Sequence, residues 1–408
     1  MSELELALSR TLQAFPAAIP RRAATALAIL DRVQAGSMEV VLPDSRCIPL
    51  GRGPRAARMR VSDWRAFDIA LDKGDIGLAE AYVDGWWETD DLPGLLTLLA
   101  RSRDVLQEAV YGNALRLLGY RLSHLLRANT RDGARRNIMA HYDLGNRFYE
   151  TWLDNTMSYS AALFEADGVR SSEDAQRAKY RRILDQLDAN PGQHVLEIGS
   201  GWGGFAEIAA SEYGLRVLGL TLSPAQLAYA RERAASRGFA DLATFELSDY
   251  RDVRGHYDHI VSIEMFEAVG ERFWPAYFSQ LRDRLKPGGR AAVQVITIDD
   301  SLFDRYRRGT DFIQRYVFPG GMLPAPSVFR DRAAACGLQV RDEFRFGPDY
   351  ARTLAGWAAR FNESQAEIRA QGFGEDFLRL WRFYLAYCEA GFRAGSTDVY
   401  QFTLQHST

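Results

Sequence analysis

A parallel α/β sheet with helices on both faces is the fold this sequence predicts for its larger, C-terminal part, and three observations carry that reading. From about residue 190 the chain alternates strand, glycine turn, helix and strand in "HVLEIGSGWGGFAEIAASEYGLRVLGLTLS". The alternation continues through "ATFELSD" and "YDHIVSIEM". A turn, "LKPGG", then leads into a last apolar run, "RAAVQVIT".

Residues 1–110 have a different texture. Strand-like pieces, "SMEVVLP" and "RMRVS", precede "IGLAEAYVDGWWETDDLPGLLTLLA", whose apolar residues recur as in a helix. A small mixed α+β domain is expected here. Residues 111–136 form a basic linker helix, with Leu115, Leu118, Leu122, Leu125 and Leu126 at helical spacing. Arg116, Arg121, Arg127, Arg131, Arg135 and Arg136 face only Asp132 in that stretch. Such a segment either lies on an anionic membrane surface or packs its leucines between domains. Residues 137–408 make up the larger domain, and its end, 300–408, is rich in aromatics, most densely in "WRFYLAYCEAGF".

Composition narrows the function. A chain of 408 residues with 47% hydrophobic content has room for two cores. A net charge of -3 argues against a general nucleic-acid binder. Cys47, Cys336 and Cys388 are too scattered for a disulfide framework or a zinc site, which suits a reducing cytoplasm. Neither a secretory leader nor a run of about 18 apolar residues occurs, so secretion and membrane spanning are not expected.

The glycine loop has two readings. Gly199, Gly201 and Gly204 match the spacing of a dinucleotide site, where bare backbone approaches a pyrophosphate at a helix start. Gly203 adds the arrangement of adenosylmethionine loops, and Glu197 stands in the strand before it. The next strand ends in Thr221, where a dinucleotide enzyme needs a carboxylate. Methyl transfer is therefore favoured over hydride transfer.

Taken in order, "HYDLGNRFYETWLDNTMSYSAALFE", "VLEIGSGWGGFAEIAA", "GLTLSPAQ", "EMFEAVG", "YVFPGGMLP" and "FGPDY" make the chain resemble the cyclopropane-fatty-acyl-phospholipid synthases over both halves. The resemblance implies a Rossmann-like class I methyltransferase domain joined to a lipid-associated N-terminal domain. It also implies S-adenosylmethionine as donor, an unsaturated phospholipid acyl chain as acceptor and a homodimer, working in the cytoplasm at the inner face of the membrane.

By position, the resemblance implies donor contacts from Tyr159, Ser160, Gly199, Gly201, Thr221, Gln226 and Asp249. Aromatics near 303–323 and 381–392 would line the acyl channel. Methyl transfer to an alkene leaves a carbocation, and closing a ring then needs a base for one proton of the new methyl. The resemblance implies a bound bicarbonate for that task, held by Glu267, Tyr350, Gln294, Ala161 and Ile296. Three positions depart from the family pattern: Ala161 replaces a cysteine, Gln294 a histidine, and Ala268 a frequent histidine. An amide can donate to an anion but cannot carry its proton. Glu264 stands where glycine is common; it is expected to turn to solvent, with a donor contact or a substitute base as alternatives. Cyclopropanation is the leading outcome. A methylene- or methyl-branched product and an inactive lipid-binding relative are the others.

Overall fold

The structure, a computed structural model, describes residues 19–110, 144–164 and 171–406. The basic segment at 111–136, with both of its readings, lies outside them.

The N-terminal unit holds four strands, β1 (Gly36–Val41), β2 (Cys47–Arg52), β3 (Arg55–Val61) and β4 (Trp87–Thr89), in the order β2-β1-β3-β4. β1 and β3 are the two apolar runs seen in the sequence, and they pair in parallel. Along β1 the side chains alternate, so that Met38 and Val40 are buried. β2 does not stand out in the sequence because Pro49 and Gly51 interrupt it; at the sheet's edge, a proline's missing N–H costs no ladder bond.

The second sheet has seven strands: β5 (His194–Ile198), β6 (Arg216–Thr221), β7 (Ala243–Leu247), β8 (Tyr257–Ile263), β9 (Leu285–Ile298), β10 (Leu338–Arg345) and β11 (Thr397–His406). Their order is β10-β11-β9-β8-β5-β6-β7. The five strands expected to be parallel are parallel. β10 and β11 extend the sheet in the antiparallel sense. Strand order reverses between β8 and β6 on either side of β5, and such a switch point opens a crevice at the strands' C-terminal ends. The loops after β5, β6, β7 and β8 all meet there.

Apolar clusters cover both faces of the large sheet, one around Phe205 and Val217, the other around Phe266, Trp274 and Phe329. A third cluster joins Tyr82, Trp87 and Leu95 of the N-terminal unit to Trp152, Trp357 and Phe383. Polar contacts reinforce this junction. Arg379 donates to Tyr82 O at 2.7 Å and pairs with Glu88 at 2.9 Å. Asp75 accepts from Tyr387 Oη at 2.8 Å and from Phe312 N at 3.2 Å. Among the described residues, no helix is long and apolar enough to cross a membrane.

Candidate active site

One cavity of about 1140 Å³ opens from the glycine loop after β5, passes the end of β8 and reaches the interior of the N-terminal unit. It is polar at the loop. Further on it is walled by Met38, Met59, Phe67 and Leu96. The expected aromatic lining is divided: Tyr306, Phe318, Tyr384 and Phe392 face the cavity, whereas Phe312, Trp381 and Phe383 are buried in the third apolar cluster.

At the loop, Gly199 and Gly201 have φ of 88° and 51°, the left-handed region that glycine enters without strain. A Cβ built on Gly201 would meet no protein atom within 4 Å, so the backbone stands bare toward the cavity. Thr221 Oγ1 donates to Gln226 Oε1 at 2.8 Å and accepts from Ser223 N at 3.1 Å, which fixes the pair where the next helix starts. Asp249 also lines the cavity, held by Arg251 at 2.5 Å and 2.8 Å. Tyr159 and Tyr384 share a hydroxyl hydrogen bond of 2.6 Å, and Ser160 Oγ accepts from Lys179 Nζ at 2.5 Å. All seven expected donor residues thus border one space. Glu197 Oε2 and Ser200 Oγ, on the same wall, are buried without a partner among the described residues. Bare backbone and waiting polar atoms fit an adenosyl donor. Such a donor supplies an electrophilic methyl group on a sulfonium.

The end of β8 holds the largest departure from expectation. Glu264 does not turn to solvent. Its N–H donates to Gln294 O at 2.8 Å, and its backbone takes φ of 49°, a conformation that costs a non-glycine residue about 1–3 kcal/mol. That turn carries the carboxylate into the cavity wall, where three donors meet it. Ala161 N and Gln294 Nε2 donate to Oε1 at 2.8 Å and 2.7 Å, and Tyr350 Oη donates to Oε2 at 2.6 Å.

Gln294 is itself oriented from behind. Its Oε1 accepts from Gln401 Nε2 at 3.0 Å, Gln401 Oε1 accepts from Arg182 at 2.8 Å, and Arg182 pairs with Asp342 at 3.0 Å. The amide nitrogen is left facing Glu264. Lys179, wholly buried, binds Ser160 Oγ and Gln176 Oε1 and lends its charge to Glu264.

Glu267 has sparser company. Its Oε1 accepts from Ile296 N at 2.5 Å, and its Oε2 is buried with no partner among the described residues. Burial first, then the neighbouring Glu264 charge, pushes its carboxyl up to about 8, so it holds a proton at neutral pH. Burial also pushes Glu264 up, but Lys179 and the three donors pull against that. Lys179 is pushed down to about 7 by burial, with Glu264 opposing.

The residues expected to grip bicarbonate are therefore divided. Ala161, Gln294 and Tyr350 are spent on Glu264, and Ile296 on Glu267. They do not fit a bound bicarbonate, because its donors are already taken and a second anion would enter beside the Glu264 carboxylate. Sequence reasoning missed Lys179 and Gln401. A signal existed for Lys179, which stands on the buried stripe Ala175, Ile183 and Leu187 at steps of one helical turn.

The chain is similar to several known proteins. Residues 129–402 match the family model described as mycolic acid cyclopropane synthetase. The chain is 42% identical over 338 residues to the tuberculostearic acid methyltransferase UfaA1 of Mycobacterium tuberculosis, covering 81% of this chain and 79% of the relative. It is 35% identical over 353 residues to the cyclopropane-fatty-acyl-phospholipid synthase of Escherichia coli, covering 86% and 88%. Among solved structures, the mycolic acid cyclopropane synthase CmaA1 complexed with SAH and CTAB superposes with a TM-score of 0.63 at 32% identity, over 66% of this chain and 98% of that one.

Proposed function

Because the chain belongs to the mycolic acid cyclopropane synthetase family of S-adenosylmethionine-dependent lipid methyltransferases, we propose that it adds the donor's methyl carbon to a cis double bond in an unsaturated phospholipid acyl chain. One observation carries this reading: the cavity runs without a break from the glycine loop to the apolar interior of the N-terminal unit. A small polar acceptor would leave that long apolar arm unfilled. An acyl chain fills it and lays its middle beside the end of β8.

The chain's residues suit the chemistry. An isolated alkene attacks weakly, so it must be held in line and dry, with reacting atoms about 3–3.5 Å apart. Forming the first carbon–carbon bond uses the alkene's π pair and leaves a cation on the neighbouring carbon. Tyr306, Phe318, Tyr384 and Phe392 exclude the water that would quench it, and ring faces stabilise positive charge. Loss of a proton from the new methyl lets that C–H pair close a cyclopropane.

A second product has its own support in the 42% identity to a protein named a tuberculostearic acid methyltransferase rather than a cyclopropane synthase. If a hydride first moves from the methylated carbon to the cation, loss of a methyl proton leaves a methylene branch instead. The basic segment at 111–136 would bring the enzyme to an anionic bilayer. Incubation with a labelled methyl donor and vesicles of unsaturated phospholipid should place the label in the acyl chains. Label confined to head groups would refute the reading.

A further inference from the structure

We propose that Glu264 is the base of this reaction, a carboxylate built into the chain that takes the methyl proton itself, so that turnover needs no dissolved anion. The inference rests on the acyl-chain reading above and adds to it the identity of the proton acceptor.

Position comes first. Glu264 lies in the cavity wall, and its neighbour Met265 packs on the glycine loop, with Cγ only 3.0 Å from where a Cβ of Gly199 would be. The carboxylate therefore stands where the donor end of the cavity meets its apolar arm. A proton on a methyl group newly joined to the acyl chain would be released at that junction.

Protonation state comes second. All three of its partners, Ala161 N, Gln294 Nε2 and Tyr350 Oη, donate to it, so the group is held as an acceptor. The buried Lys179, pushed down to about 7, adds a favourable charge in its protonated form. Glu267, three residues on, is surrounded so as to keep its proton. Burial pushes both carboxyls up, but only Glu264 has three donors and a buried ammonium opposing that push, so of the two it is the one arranged to accept a proton. Asp249 faces Arg251 instead.

Backbone geometry comes third. A glutamate is held at φ of 49°, where glycine would sit without strain, and the β8–β9 pairing and the three hydrogen bonds to its carboxylate keep it there. Strain maintained at a cavity wall is a mark of function. In the step proposed, a C–H bond of the new methyl breaks, its electron pair forms the second ring bond, and the proton moves to Glu264. It returns to water once the product has left.

The test compares the full-length protein with Glu264→Gln and Glu264→Gly. Stripping carbon dioxide and bicarbonate from the buffer should leave the parent's turnover unchanged. Glu264→Gln should lower turnover by about 100-fold or more, the usual range for losing a general base, while calorimetry shows unchanged affinity for S-adenosylhomocysteine. Glu264→Gly suits the local φ and frees three donors around a small vacancy. Added bicarbonate or formate should restore its turnover by about tenfold or more. Carbon-13 NMR should detect bicarbonate bound to Glu264→Gly but not to the parent. A parent that stops without bicarbonate, or a Glu264→Gln protein with near-normal turnover, overturns the proposal. Should the parent fail to methylate acyl chains at all, the functional reading falls, while the bicarbonate NMR still decides whether Glu264 fills the anion's place.

Discussion

Among the described residues, the Glu267 carboxyl accepts one hydrogen bond, from Ile296 N, and that of Glu264 accepts three, although both lie in one turn after β8. Pushed up from about 4.5 to about 8, Glu267 binds its proton more tightly in the folded chain than in the unfolded one. Between those values the folded state holds more protons, so raising the pH costs stability across that window. Glu267→Gln removes the group. Its stability relative to the parent should therefore improve as pH rises from about 4.5 to about 8 and then level off, read from urea midpoints. A pH-independent difference would contradict the assigned proton. Glu267 and Tyr350 are legible as motif residues in the sequence itself. Glu264's role is not, because it depends on a left-handed backbone and on partners 103, 30 and 86 residues away in the chain.

Among the elements, the inner parallel strands β5, β6 and β8 are the most legible, since a strand buried on both faces is a mostly apolar run between turn residues. β10 and β11 are not. "LQVRDEFR" carries charges along one exposed side, and "TDVYQFTLQH" interleaves polar residues that turn out to be buried, among them Gln401. Nor could the sequence indicate that Asp75, opening the Asp75–Val83 helix, binds Tyr387 and Phe312 across the junction with the N-terminal unit. Replacing Asp75 with Ala leaves those two donors without their acceptor, a loss of about 1–3 kcal/mol. Urea unfolding should show the lower midpoint. An unchanged midpoint would mean the junction is held by its apolar contacts alone.

At the scale of the whole molecule, the shared third cluster makes the N-terminal unit one wall of the reaction cavity. On the function proposed above, an acyl chain in a bilayer must still reach its mouth. If the basic segment at 111–136 docks the protein on anionic lipid, binding to anionic vesicles should exceed binding to neutral ones and weaken with salt, as screening shortens the reach of surface charge. Sedimentation with the two vesicle types checks this, and equal binding at low salt would leave the interdomain reading of the segment. The central claim is that the donor's methyl carbon ends up on an acyl double bond, and carbon-13 NMR of lipid treated with the enzyme and a carbon-13 methyl donor tests it most directly. The labelled carbon should appear as a ring CH₂ of a cyclopropane, or as a methylene carbon on the chain if a hydride shift intervenes. Label found only in the head group, or left on unreacted donor, would contradict the account.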